Sequence, residues 1–187
     1  MIRSAKKSDV DQIVPLVMII LKDMELVFLK KYGEEKLVEV LKLAFADENF
    51  RFGYARGIVL EEENEILGVA FGYLDSEEST IDEPLKAAYR KLGIPEDEVM
   101  FGDKEAFENE WYLDSIAVRA DQRGRGIGAK LLEALPKFAT KQGANKIGLS
   151  VDDVNPRAKQ LYIRQGFKEV GRAVISGHQY DHMQKEI

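Results

Sequence analysis

Residues 111–143 constrain the fold more tightly than any other stretch of this chain. Trp111-Tyr112-Leu113-Asp114-Ser115-Ile116-Ala117-Val118 is rich in aromatic and β-branched residues and reads as a strand. Arg119 to Arg125 reads as a loop. From Gly126 to Gln142 the pattern is helical, with Ile127, Leu131, Leu132, Leu135, Phe138 and Ala139 on one stripe and Gly143 as the stop. Pro136 lies inside this helix, removes one hydrogen bond and predicts a kink. A long helix with a single apolar stripe needs a sheet to cover.

The rest of the chain supplies that sheet. Ile2 to Ala5 reads as a short strand, and Ser8-Asp9-Val10-Asp11 as a capping box with Asp in place of the usual Glu. A helix follows, with Val10, Ile13, Val14, Val17, Met18 and Leu21 at helical spacing, and a second runs from about Glu34 to Phe45. Residues 54–61 and 66–74 form a hairpin by pattern, joined by a polar turn. Lys146 to Val151 is a further strand. Asn155 is an N-cap with Pro156 at the first helical position, and Gly166 closes that helix. Residues 167–176 and 179–183 are the last two strands. This order indicates an α/β chain with one mixed sheet, a single domain over residues 1–187.

Residues 75–110 differ in character. They carry twelve acidic and four basic side chains, whereas residues 111–172 carry six acidic and twelve basic. A cationic ligand prefers the first region and a polyanionic ligand the second, although two solvated faces give the same count. The acidic segment holds one helix, Pro84 to Leu92, ended by Gly93. It has too few apolar residues for its own core, so it reads as an insertion. The chain has no cysteine, which excludes disulfides and thiolate chemistry. The apolar run Ile13 to Ile20 is shorter than the ~20 residues a membrane span needs. The default is a soluble cytoplasmic protein with no membrane partner.

Glycines alternate at 124, 126 and 128, between strand and helix. Such spacing lets the backbone approach a ligand closely, and the N–H groups of the first helical turn favour an anion. Arg123 and Arg125 add positive charge. The loop is therefore shaped for a pyrophosphate, although a basic, flexible Gly-Arg turn is the simpler reading. It lacks the Gly-Lys-Ser/Thr ending of the Walker loop and the glycine spacing of the Rossmann loop.

Arg123-x-x-Gly126-x-Gly128 resembles the Gln/Arg-x-x-Gly-x-Gly/Ala signature of the GCN5-related N-acetyltransferase (GNAT) superfamily. Asn155-Pro156-Arg157-Ala158-Lys159-Gln160-Leu161-Tyr162, followed by Gly166-Phe167, resembles that family's second motif. The resemblance is strong over about residues 111–172 and weak before them. It implies a GNAT-like acyl-CoA N-acyltransferase fold with a central, partly splayed sheet flanked by helices. It also implies acetyl-CoA as cosubstrate, no metal, and direct transfer of an acetyl group to a primary amine of a small molecule or peptide. Backbone amides from Gly124 through Gly126 and Ile127 to Gly128 and Ala129, with Arg123 and Arg125, would bind the pyrophosphate. Main-chain groups of Ile116, Ala117 and Val118 would pair with the pantetheine arm, and Asn155 would contact it. Tyr162 would protonate the leaving thiolate; from the helix alone it reads as a packing aromatic. The resemblance leaves a homodimer open.

Glu110 and Asp114 are the candidates for the base that deprotonates the amine. Strand geometry places them on one face, with Tyr112 assigned to the other. The alternatives are a solvated strand-end charge for Glu110 and a buried hydrogen-bonding role for Asp114. His178 and His182 lack a third ligand at metal spacing. The acidic segment leads into the central strand and is expected to cover the acceptor site and favour a cationic amine. Two other functions fit parts of the sequence. A coenzyme-A-binding sensor would keep the loop without turnover. A nucleic-acid module would need a larger basic patch than this acidic chain offers, so no nucleic-acid partner is expected.

Overall fold

A computed structural model describes residues 1–187 as one seven-stranded sheet with helices on both faces. The strands are β1 (Ile2–Ser4), β2 (Gly57–Glu62), β3 (Glu65–Leu74), β4 (Trp111–Val118), β5 (Lys146–Asp152), β6 (Lys168–Ile175) and β7 (His178–Glu186). The helices are α1 (Val10–Asp23), α2 (Val27–Tyr32), α3 (Glu34–Phe45), α4 (Leu85–Leu92), α5 (Ile127–Thr140) and α6 (Pro156–Arg164). The spatial order is β1-β2-β3-β4-β5-β7-β6, and β4–β5 is the parallel pair in an otherwise antiparallel sheet. This is the mixed α/β architecture expected from the order of the patterns.

The two faces bury different helices. On one, α1 lies over β3 and β4 and α3 packs on α1, together burying Ile13, Val14, Val17, Leu21, Leu37 and Leu41. The acidic segment joins this core: Leu85, Ala88 and Tyr89 of α4, with Ile94 and Met100 after it, belong to the same buried cluster. On the other face α5 buries Ile127, Leu131, Leu132, Leu135 and Ala139 against Leu113 and Trp111 of β4. Helix α5 runs on through Pro136 to Thr140.

Three local features depart from the sequence reading. Ser8 does not cap α1. A short 3-10 turn precedes the helix, and Asp9 accepts the Lys6 N–H at 2.8 Å and pairs with Arg3. Helix α2 was not legible, being only six residues long with a single buried anchor, Phe28. Strand β4 is also bulged. Phe71 faces Ser115 but Gly72 faces Leu113, so Asp114 is the extra residue. The bulge lets Leu113 and Ile116, three apart, pack into the same cluster beside α5.

Candidate active site

The bulge lies where β4 and β5 part. These strands pair at Trp111–Ile147, Tyr112–Gly148 and Leu113–Leu149 and no further. Beyond Leu113 a cleft of about 580 Å³ opens between them. Ser115 to Val118 form one wall, and Leu149 to Asp152 with Asn155 and Tyr162 form the other.

One end of the cleft meets the glycine loop. Gly124 and Gly126 have φ of +83° and +75°, conformations that residues with a Cβ adopt at a cost. Space is not the constraint, because a Cβ at either position would have no neighbour within 4 Å. Gly126 is the N-cap of α5 and makes no side-chain cap, so the first amides of the helix face outward without partners. Gly124, Gly126, Ile127, Gly128 and Ala129 all line the cleft. Arg123 lines it too and forms no ion pair, as do Arg157 and Arg164 from α6. Arg125 departs from expectation: its guanidinium is turned outward to Glu62, at 2.8 Å, and to Gln122, and it does not line the cleft.

Helix α6 closes the other wall. Asn155 Oδ1 accepts the Ala158 N–H at 3.2 Å, which caps the helix and fixes the side chain at the cleft margin. One turn further on, Tyr162 lines the cleft at 8% exposure, its ring edge-on to Phe167 at 6.0 Å. Burial pushes its phenol up to about 12, so the hydroxyl keeps its proton at neutral pH.

The predicted carboxylates separate. Glu110 is not a solvated strand-end charge; it is 1% exposed and lies outside the cleft. Its oxygens accept from the Phe107 N–H and Gln184 Nε2 at 2.8 Å each and contact His182 Nε2 at 2.9 Å. Gly148 makes room for it, since a Cβ there would lie 1.9 Å from Glu110 Oε2. Asp114 does line the cleft, but it is engaged by Arg51 Nη1 at 2.7 Å and by Ser115 Oγ at 2.9 Å. Burial is the main influence on its pKa and raises it. Tyr112 belongs to the face of Glu110, not to the opposite one: its ring stacks 5.9 Å from that of His182, the partner of Glu110. Residues two apart in a strand share a face, so Tyr112 follows Glu110.

Two charged groups were not singled out from sequence. Arg51, 2% exposed, holds Asp82 through Nε and Nη2 at 3.1 and 2.9 Å. Glu105, 6% exposed, lies 3.4 Å from Arg51 Nη1, accepts the Tyr112 hydroxyl at 3.2 Å and lines the cleft. Burial, reinforced by the charge of Asp114 and opposed by Arg51, pushes Glu105 up to about 8. His178 lies near Asp152 and Glu25, and His182 is enclosed by Phe107, Tyr112 and Glu110. No three His, Asp or Glu side chains converge as a metal site requires.

Comparison with known proteins agrees with this fold. The model of the acetyltransferase (GNAT) family matches residues 21–167. A solved acetyltransferase is 48% identical with a TM-score of 0.91, over 100% of this chain and 99% of that one. An N-acetyltransferase from Staphylococcus aureus Mu50 is 30% identical with a TM-score of 0.85, over 99% and 100%. The thialysine N-epsilon-acetyltransferase of Bos taurus is 36% identical over 62 residues, 33% of this chain. That match spans only 36% of the bovine protein's length.

Proposed function

The chain belongs to the acetyltransferase (GNAT) family, and from that premise we propose that it moves an acetyl group from acetyl-CoA to a primary amine by direct attack. The observation that carries this is the parting of β4 and β5 over a cleft that runs from the amides opening α5 to an acidic end. In this reading the amides from Gly124 to Ala129 and the guanidinium of Arg123 hold the pyrophosphate. Arg157 and Arg164 add positive charge along the same wall. The pantetheine arm lies against Ile116, Ala117 and Val118 as a substitute strand, with the free amide of Asn155 beside it. A backbone N–H of the parted strand polarises the thioester carbonyl.

Tyr162 then protonates the departing sulfur. The phenol is a weaker acid than a free thiol, whose pKa is about 8.5, so it serves as a relay: the proton it gives the sulfur is replaced by one from the attacking nitrogen. The acceptor enters from the opposite end, where Glu105, Asp114, Asp152 and Asp23 line the cleft among Ile19, Ile20 and Met24. That lining suits the cationic amine of a small molecule or peptide better than an anionic one. A relative named for acetylating the ε-nitrogen of thialysine supports an amine acceptor.

The test is thiol release from acetyl-CoA across a panel of amines that includes spermidine and glutamate. Turnover with cationic amines in preference to glutamate is expected. Tyr162→Phe is expected to lower kcat at least about tenfold while coenzyme A still stabilises the protein, by about 2.7 kcal/mol at a hundredfold excess over Kd. Stabilisation without thiol release on any amine would make the chain a coenzyme-binding protein instead. No stabilisation at all would remove the basis of the reading.

A further inference from the structure

The acidic end of the cleft holds an ionic cluster whose charges do not balance. One guanidinium, that of Arg51, faces three carboxylates: Asp82, Asp114 and Glu105. Asp82 takes two of its N–H groups and Asp114 the shortest contact, at 2.7 Å. Asp114 has a further donor in the Ser115 hydroxyl. Glu105 is left with the longest contact, 3.4 Å, and with a neutral phenol, Tyr112. The other groups facing Glu105 add no compensating charge. Tyr73 of β3 and Tyr180 of β7 are phenols, and the carboxylate of Glu78 accepts the backbone N–H groups of Glu105 and Ala106. Glu105 is thus the least compensated member of the cluster, and it lines the acceptor end of the cleft.

We propose that Glu105 is the base that takes the proton from the acceptor ammonium, with Asp114 and Arg51 as positioning residues. This deepens the acetyl-transfer reading and rests on it. An ammonium entering this end supplies the positive charge that the cluster lacks, so binding and deprotonation draw on the same imbalance. The protons and bonds balance as follows. The Glu105 carboxylate takes one proton from R–NH3⁺. The freed nitrogen lone pair forms the N–C bond to the thioester carbonyl, and the C–S bond breaks. The sulfur takes the Tyr162 proton, and the second nitrogen proton restores the phenol. Glu105 then returns its proton to solvent, so each acetyl transfer releases one proton. Chemistry favours this carboxylate. An ordinary glutamate is about six units less basic than an alkylamine, whose pKa is about 10.4, whereas a group held at about 8 narrows the gap to about two.

The experiment is the pH dependence of kcat/KM between pH 6 and 10 for the wild-type chain, Glu105→Gln and Asp114→Asn. The wild-type profile should rise with a midpoint near pH 8, and that midpoint should stay put when the acceptor is exchanged for a less basic amine. Glu105→Gln should lose at least about 100-fold in kcat and lose the limb, with the coenzyme A melting shift retained. Asp114→Asn should move the limb to lower pH, which a merely structural role would not do. Two results overturn the proposal with the acetyl-transfer reading intact: a limb that follows the amine's pKa, or a Glu105→Gln enzyme within twofold of wild type at every pH. A wild-type chain that releases no thiol with any amine removes both together.

Discussion

Glu105 carries a thermodynamic consequence that can be measured without substrate. In the unfolded chain its carboxyl ionises near the ordinary value of 4.5, and in the folded chain at about 8. Between those values the folded state holds a proton that the unfolded state has lost, so stability falls as pH rises. The contribution of this group is greatest below pH 4.5, drains through the window and levels off above pH 8. Glutamine binds no proton in either state. Glu105→Gln should therefore gain melting temperature relative to wild type on going from pH 5 to pH 9, as thermal melts at the two pH values would show; an offset independent of pH would refute it. At this scale legibility followed distance along the chain. The glycines at 124, 126 and 128, Asn155 and Tyr162 stand out because their spacing is local. Arg51 and Glu105 are 54 residues apart and meet only in the fold. Glu105 is moreover one of twelve acidic residues in its segment, with nothing local to distinguish it.

Helix α5 shows how packing holds the coenzyme loop. Leu131 and Leu135 are fully buried against the sheet, and Ile127 anchors the first turn beside Gly68 of β3, where an added Cβ would come within 2.9 Å of Ile127 Cγ2. Leu131→Ala should cost about 2–5 kcal/mol and lower the denaturation midpoint in urea with the slope unchanged. A loss below about 1 kcal/mol would mean that the helix is held otherwise. The long elements were readable because their apolar periods span three or more turns. Asp114 reads from the sequence as either a base or a buried hydrogen-bonding residue, and an alternating pattern cannot decide between the two because it does not reveal a bulge. The register shift opposite Gly72 hands its carboxylate to Arg51.

Across the whole molecule, charge and topology point the same way. The acidic segment packs its apolar residues into the α1–α3 core and brings Glu105 to one end of the cleft. The basic half brings α5 and α6 to the other. The break between β4 and β5 also leaves the sheet one strand short along residues 114–118. Coenzyme A filling that gap should slow hydrogen exchange at the amides there that face β5, and leave those of β2 unchanged. Uniform slowing across the sheet would instead indicate general stabilisation. If the gap is filled in this way, the cosubstrate is also a removable piece of the architecture. Each round of turnover would then unmake and remake part of the sheet, and the resting, unoccupied enzyme would be the form most open to strand-pairing with a stray extended peptide.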